Sequence, residues 1–249
     1  MADTKIYFAS DQHFGAPTPE LSFPREQKFV AWLDEIKKDA TALFLLGDLF
    51  DFWFEYKTVV PKGFVRVLGK LAEIRDSGIP VYFFVGNHDL WMSDYFEKEL
   101  NIPVYHTTKE FTFNDKHFLI GHGDGLGPGD KGYKRMKKVF TNPFSKWLFR
   151  WLHPDLGVKL AQHLSVKNKL ISGAEDVRFL GEDNEWLVQY SKRKLETKHY
   201  DYFVFGHRHL PMTIKVGENA TYINLGDWIG YFTYGVFDGT TFELKEYKS

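Results

Sequence analysis

Short apolar runs rich in aromatic and β-branched residues recur along the chain and predict buried strands. These runs cover residues 6–9, 42–46, 81–85, 118–120, 202–205 and 222–225. Between the first three runs, apolar residues recur near the helical spacing of 3.6: Phe29, Leu33 and Ile36, then Phe64, Leu68, Leu71 and Ile74. This alternation predicts parallel strands whose carboxyl ends meet at one edge, where open α/β sheets bind their ligands.

The pattern changes after Asp124, where a Gly/Pro loop over 125–130 precedes a basic, aromatic and helical stretch that reaches about Leu170. We interpret residues 129–172 as a helical insertion in one domain that spans residues 1–249. A further helix is predicted around residues 185–196. The tail alternates apolar and polar residues around a turn at Gly239, which predicts antiparallel strands closing a second sheet.

Composition fits a globular protein, since 43% of the 249 residues are hydrophobic and 26% are charged. Aromatic residues make up 18%, which serves either the core or an apolar binding surface. The absence of cysteine excludes disulfides, thiolate metal sites and cysteine nucleophiles, so any metal must bind Asp, Asn, His or Glu. The amino terminus does not resemble a signal peptide, and no apolar run approaches the roughly 20 residues of a membrane-spanning helix. We therefore expect a cytoplasmic protein with at most peripheral membrane contact.

Charge is distributed unevenly although the net charge is only −1. Residues 131–170 contain ten Lys or Arg and a single acid, Asp155, so the rest of the chain is acidic overall. This uneven distribution of charge predicts that the basic segment binds an anionic partner. It also predicts that an acidic site elsewhere binds cations.

Five polar motifs follow five of the predicted strands: Asp11-Gln-His13, Gly47-Asp48-Leu-Phe-Asp51, Gly86-Asn87-His88-Asp89, Gly121-His122-Gly-Asp124 and Gly206-His207-Arg-His209. Mixed carboxylate, amide and imidazole ligands suit Mn, Fe, Co or Zn better than calcium. Two such ions about 3.5 to 4 Å apart could share one carboxylate, activate water and clamp a phosphoryl oxygen. Asp48 is the natural shared ligand. One such motif alone is usually a turn, but five in this order indicate a two-metal phosphoesterase.

The five motifs resemble those of the calcineurin-like metallophosphoesterases, whose pattern is D-x-H, G-D-x-x-D, G-N-H-D/E, G-H and G-H-x-H. The resemblance implies an α/β fold, a four-layer αββα sandwich with a helical cap insertion. It also implies two sets of metal ligands: Asp11, His13, Asp48 and His209 for one ion, and Asp48, Asn87, His122 and His207 for the other.

The resemblance further implies that His88 contacts the substrate phosphoryl group as an acid or a transition-state donor, in a catalytic group with Asp48 and Asn87. The alternative is that His88 orients Asn87 or pairs with Asp89. Asn87, His88 and His207 are also expected to contact substrate. Asp51, Asp89 and Asp124 are expected to orient histidines or cap turns rather than bind metal.

Within the insertion, residues 133–140 and 142–152 interleave cationic side chains with large apolar ones. A helix hairpin packed on the main domain, a nucleic-acid surface and a lipid-binding surface all fit this pattern, and the many Leu, Phe and Trp favour lipid. The segment and the later Leu225-Gly-Asp-Trp228 resemble the UDP-2,3-diacylglucosamine pyrophosphohydrolases of bacterial lipid A biosynthesis.

That resemblance implies hydrolysis of UDP-2,3-diacylglucosamine to UMP and 2,3-diacylglucosamine 1-phosphate, with attack on the α-phosphorus and Mn as the usual metal. Asp130 matches a position that contacts the glucosamine, and Lys167, Asn168 and Lys169 replace a polar substrate segment. The expected partners are this lipid-linked UDP-sugar and, through the basic cap, the inner face of the inner membrane, with neither nucleic acid nor a protein partner. The alternatives are another metal-dependent phosphodiesterase or phosphatase acting on nucleotides or nucleic acid, and a non-catalytic scaffold.

Overall fold

Two β-sheets carry the fold in the computed structural model, which describes residues 4–127, 131–159 and 178–248. The strands are β1 Ile6–Ala9, β2 Ala42–Leu45, β3 Val81–Phe84, β4 Val104–Tyr105, β5 Lys109–Phe113, β6 Lys116–Ile120, β7 Tyr202–Phe205, β8 Pro211–Lys215, β9 Thr221–Leu225, β10 Thr233–Phe237 and β11 Phe242–Glu246. Each of the six predicted strands is present to within one or two residues.

The helices are α1 Pro19–Ile36, α2 Val65–Asp76, α3 Tyr95–Leu100, α4 Lys131–Thr141, α5 Pro143–Arg150, α6 over residues 154–159, and α7 Trp186–Leu195. Helix α1 begins where the Thr18 hydroxyl accepts a hydrogen bond from the backbone N–H of Leu21, with Pro19 at the first position. Helix α2 begins one residue after Phe64, whose φ of 57° is left-handed. Within the described ranges, no helix is long and apolar enough to cross a membrane.

Strand order in the first sheet is β11-β10-β1-β2-β3-β4, in which β1 to β4 are parallel as the alternating pattern predicted. The second sheet has the order β5-β6-β7-β9-β8, in which β6, β7 and β9 are parallel. The prediction that the tail closes the second sheet is wrong, because β10 pairs antiparallel with β1 in the first. A period of two identifies a strand but not its partner, and β1 had an unpaired edge.

Three apolar layers hold the sheets and helices together. Phe8 and Phe44 of the first sheet meet Phe118 and Ile223 of the second across the middle layer. The outer face of the first sheet packs on α1 and α2, and the outer face of the second packs on α7. The layers therefore run helix, sheet, sheet, helix, and the predicted four-layer αββα fold is confirmed.

Helices α4, α5 and α6 follow β6 and occupy part of the predicted insertion, both of whose boundaries, 129 and 172, lie outside the described residues. Phe149 of α5 packs against Phe52, Phe54 and Trp91 of the main domain, with ring centroids 4.5 to 6.2 Å apart. The Trp91 indole N–H also donates to the backbone carbonyl of Phe140 at 2.6 Å. The cap is thus joined to the loops that follow β2 and β3.

Candidate metal centre

The polar motifs after β1, β2 and β7 assemble the first predicted ligand set. His13 Nε2 lies 3.8 Å from Asp11 Oδ1 and 3.6 Å from Asp48 Oδ2. His209 Nε2 lies 3.5 Å from the same Asp11 oxygen. Ligand atoms of Asp11, His13 and His209 all lie within 4.8 Å of one another, a separation that one ion can bridge.

The second set is formed by the motifs after β3, β6 and β7, together with Asp48. Asn87 Oδ1 lies 3.1 Å from His122 Nε2 and 2.9 Å from His207 Nδ1. His122 Nε2 is also 3.4 Å from Asp48 Oδ2. One carboxylate oxygen, Asp48 Oδ2, therefore faces both sets, as a ligand shared between two ions must.

The other oxygen of Asp48 is held by the neighbouring loop, where Oδ1 accepts a hydrogen bond from the backbone N–H of His88 at 2.7 Å. This close approach requires glycine at position 86, because a Cβ there would lie 2.2 Å from Asp48 Oδ1. A Cβ at Gly206 would likewise lie 2.5 Å from Asp11 Oδ2. The motif glycines make room for the carboxylates.

Backbone strain is concentrated in the predicted ligand residues. Left-handed φ angles of 46° to 70° occur at Asp11, His13, Asp48, His207 and His209. They are half of the ten non-glycine residues with positive φ in the described part of the chain. Each such residue costs of order 1–3 kcal/mol, and this strain typically persists at functional sites that the surrounding structure over-determines.

The donor atoms fit divalent metal ions. Among the described residues, Asp11 Oδ1 and both ring nitrogens of His13 are buried and make no hydrogen bond. Buried polar atoms without partners are rare in folded proteins, and a bound cation is one explanation for them. A mixed set of carboxylate, amide and imidazole donors also matches the preference of Mn, Fe, Co and Zn.

Electrostatic interactions at the centre couple its buried carboxylates to its imidazoles. Burial would raise the pKa of Asp48, but the imidazoles of His122 and His88 outweigh it and hold that pKa well below its usual range. Burial would lower the pKa of His122, but the carboxylate of Asp48 outweighs it and raises that pKa to about 10. Burial and the neighbouring His122 lower the pKa of His207 to about 4. A divalent cation would balance the carboxylates.

Residues around the ligands fix their orientation. His122 Nδ1 lies 2.6 Å from the backbone carbonyl of Leu46, so Nδ1 carries the proton and Nε2 faces Asp48. Asp89 accepts from the backbone N–H groups of Gly86 at 2.5 Å and Leu49 at 3.1 Å, which ties two motif loops together. Burial, with the charge of Asp48, raises the pKa of Asp89 to about 8.

Asp51, His88 and Asp124 lie at the edge of the two sets. His88 Nδ1 is 2.9 Å from the carbonyl oxygen of Asp51, whose carboxylate is 3.5 Å from His13 Nδ1. Asp124, expected to orient a histidine or cap a turn, accepts hydrogen bonds from Tyr133 and Lys137 of α4. It thereby joins the cap to the loop that carries His122.

Asp227 is a functional candidate that the sequence reasoning missed. It follows β9, and its Oδ2 lies 3.2 Å from His209 Nδ1. The signal was present in the sequence, because Gly226-Asp227 follows a strand just as Gly47-Asp48 does. The predicted substrate residues Asp130, Lys167, Asn168 and Lys169 lie outside the described residues.

Comparison with known proteins identifies the family. A family model for calcineurin-like phosphoesterases matches residues 4–211, and the chain belongs to this family. The predicted hydrolase class is therefore confirmed, and membership implies binding of divalent metal.

Two curated relatives make the likeness more specific, and one solved structure is also similar. The chain is 38% identical to the UDP-2,3-diacylglucosamine hydrolase of Porphyromonas gingivalis, over 97% of this chain and 97% of that protein. It is 28% identical to the hydrolase of the same name from Haemophilus influenzae, over 89% of this chain and 90% of that protein. A solved E. coli phosphoesterase, YfcE, is 17% identical, covers 98% of this chain and 93% of its own, and has a TM-score of 0.49.

Proposed function

We propose that the chain hydrolyses the pyrophosphate bond of UDP-2,3-diacylglucosamine, giving UMP and 2,3-diacylglucosamine 1-phosphate in lipid A biosynthesis. The observation that carries this proposal is the likeness to the P. gingivalis hydrolase, which runs over 97% of both chains and so includes the cap as well as the motifs. Water adds to the α-phosphorus, the bond from that phosphorus to the bridging oxygen breaks, and the lipid phosphate leaves.

Asp11, His13, Asp48 and His209 would hold one metal ion, and Asp48, Asn87, His122 and His207 the other, with Mn as the proposed metal. When bound, the ions supply an activated water and charge stabilisation at the phosphoryl oxygens. The separation of Asp48 Oδ2 from His13 Nε2 and His122 Nε2, 3.6 and 3.4 Å, supports its role as the shared ligand.

His88 is proposed to contact the phosphoryl group in the transition state. His88 Nδ1 donates to the carbonyl oxygen of Asp51 at 2.9 Å, which orients the ring at the edge of the two ligand sets. Its backbone N–H meanwhile holds Asp48 Oδ1 at 2.7 Å. A side-chain change at position 88 therefore leaves the support of Asp48 in place.

The cap is proposed to bind the acyl chains and the membrane. Trp147, Leu148, Trp151 and Leu152 are 40–75% exposed, whereas Phe149 packs on the main domain. Exposed apolar side chains grouped in this way are typical of a binding or membrane-contact site rather than of core. Each CH₂ of an acyl chain buried there would contribute about 0.8 kcal/mol.

Two basic side chains of α4 support contact with anionic lipid at the inner face of the inner membrane. Arg135 and Lys138 are exposed, and each such charge contributes about 1 kcal/mol near an anionic surface. Lys134 and Lys137, which the sequence grouped with them, instead donate to the Gly127 carbonyl and to Asp124. They stabilise the cap rather than face a membrane.

The test is to incubate the purified chain with Mn²⁺ and UDP-2,3-diacylglucosamine in H₂¹⁸O and to analyse the products by mass spectrometry. The expected result is UMP that carries the label, with unlabelled lipid phosphate. UDP-glucosamine, which lacks the acyl chains, is the matched control and should be hydrolysed far more slowly.

Two outcomes would contradict the proposal. No UMP from the diacylated substrate, with rapid hydrolysis of bis-p-nitrophenyl phosphate or a cyclic nucleotide, would favour the nucleotide phosphodiesterase alternative. No hydrolysis of any phosphoester with metal bound would favour the scaffold. Label in the lipid phosphate would instead overturn only the assignment of attack to the α-phosphorus.

A further inference from the structure

A buried ion pair lies directly behind the metal-binding loop that follows β7. Arg208 is 2% exposed and Glu185 is fully buried. Arg208 Nε lies 3.0 Å from Glu185 Oε2, and Arg208 Nη2 lies 3.0 Å from Glu185 Oε1. Two parallel hydrogen bonds of this kind fix the guanidinium in position as well as neutralise it.

The ion pair also hydrogen-bonds to the backbone of the segment that precedes α7. Arg208 Nη2 donates to the carbonyl of Arg178 at 2.9 Å, and Glu185 Oε1 accepts from the backbone N–H of Leu180 at 3.1 Å. Glu185 itself stands at the amino-terminal end of α7. The ion pair therefore connects three parts of the chain: the segment around residues 178–180, the start of α7 and the metal-binding loop.

The position of Arg208 in the sequence links the ion pair to the proposed metal ligands. Arg208 stands between His207 and His209, one from each proposed ligand set. Both histidines have left-handed backbones, with φ of 70° and 51°. Such a conformation persists only when surrounding contacts enforce it. Buried ion pairs contribute little net stability over apolar residues of similar volume, so stability alone does not explain this one.

We propose that Arg208 and Glu185 are positioning residues that hold His207 and His209 in their ligating geometry, and so control the affinity for both metal ions. The inference rests on the proposed ligand sets. It assigns the pair no contact with substrate. Because the Arg178 carbonyl accepts from Arg208 and the Leu180 N–H donates to Glu185, displacement of their segment should also weaken metal binding.

The experiment measures Mn²⁺ binding by the full-length chain at graded free Mn²⁺, with bound manganese counted after equilibrium dialysis. Arg208→Lys keeps the charge but loses the two-pronged contact, and Glu185→Gln keeps the shape but loses one acceptor. Each should weaken the binding of both ions by roughly 10–100-fold, the usual effect of losing a residue that orients ligands.

Two further variants separate positioning from stability. The double variant Arg208→Met with Glu185→Met replaces the pair by apolar groups and should unfold near the wild-type urea midpoint, yet bind Mn²⁺ weakly. Val188→Ala leaves a cavity at a buried position of the same helix and should lower the midpoint while binding Mn²⁺ normally.

Wild-type Mn²⁺ affinity in both Arg208→Lys and Glu185→Gln would overturn the proposal. So would an equal loss of affinity in Val188→Ala, since the effect would then follow stability. His209→Ala is the reference for the ligand sets and should bind one ion fewer. If it binds two ions with wild-type affinity, the ligand assignment is wrong, independently of the result for the pair.

Discussion

Asp227 offers the sharpest test of the metal centre, because its two carboxylate oxygens have separate tasks. Oδ2 lies 3.2 Å from His209 Nδ1. Oδ1 accepts from the backbone N–H groups of Ile229, Gly230 and Tyr231 at 3.1, 2.9 and 3.1 Å. One oxygen therefore orients a proposed ligand while the other closes a turn.

The Asp227→Asn change separates these tasks. The amide oxygen can still accept from the three backbone N–H groups, so the turn should survive. The amide NH₂ cannot accept from His209 Nδ1–H, and the neutral ring then carries its hydrogen on Nε2, the nitrogen 3.5 Å from Asp11. A protonated Nε2 cannot bind metal.

The expected magnitude is a 10–100-fold loss of affinity for one ion, the range found when a carboxylate that orients a metal-binding histidine is removed. This corresponds to about 1.4–2.7 kcal/mol, which agrees with the roughly 1.5–3 kcal/mol of a hydrogen bond to a charged group. The second ion should bind normally, because His209 belongs to one ligand set only.

The assay is a Mn²⁺ titration of the wild-type and variant chains, with the unfolding midpoint in urea measured on the same samples. Asp238→Asn is a matched control, since Asp238 Oδ1 accepts from the N–H groups of Thr240 and Thr241 in a similar turn at an exposed site. Normal binding of both ions by Asp227→Asn, or an equal loss in Asp238→Asn, would refute the reasoning.

The remaining predictions address the shared ligand, the phosphoryl contact, the cap and the metal itself. Asp48→Ala should lower kcat by at least about 10³-fold and reduce bound Mn²⁺, and full occupancy with normal turnover would rule out a shared ligand there. His88→Ala should lower kcat by roughly 10²-fold while both ions remain, and a loss of metal would make His88 a support for the ligands instead. Trp147→Gln with Trp151→Gln should depress hydrolysis of the diacylated substrate but spare bis-p-nitrophenyl phosphate and the melting temperature. Parallel loss of both activities with unfolding would contradict the acyl-binding role. Chelation of the metal should lower the melting temperature, and readdition of Mn²⁺ should restore it in a concentration-dependent way.

Much of the fold was predictable because its central strands are buried on both faces. Residues 42–45 and 202–205 are continuous apolar runs for this reason, and their sequence marks them directly. Strand β5 was missed because Lys109–Phe113 lies at a sheet edge and alternates with polar residues. Strand β8, at the opposite edge, begins with proline and was missed as well. An edge strand pairs on one side only, and no local sequence pattern specifies its partner.

The candidate site was likewise predictable only in part from the sequence. The five motifs were visible because each places predicted ligands directly after a buried strand, four of them with a glycine before the ligand. The contacts that hold those ligands were not visible, since they join residues distant in sequence. Arg208 and Glu185 are 23 positions apart, and neither belongs to a pattern that suggests the other. From the sequence alone, both residues would be expected to lie at the surface, because charged side chains are seldom buried. The fold instead buries them together.

Backbone conformation provides evidence for the ligands that is independent of the motifs. Left-handed φ is costly for Asp and His, because the side chain crowds the following carbonyl, yet Asp11, Asp48 and His209 all adopt it. An alternative turn with ordinary φ would direct these side chains elsewhere and lose their convergence. A divalent cation bound by these side chains would stabilise them in this arrangement, so its removal should destabilise this edge of the sheets before the rest of the fold.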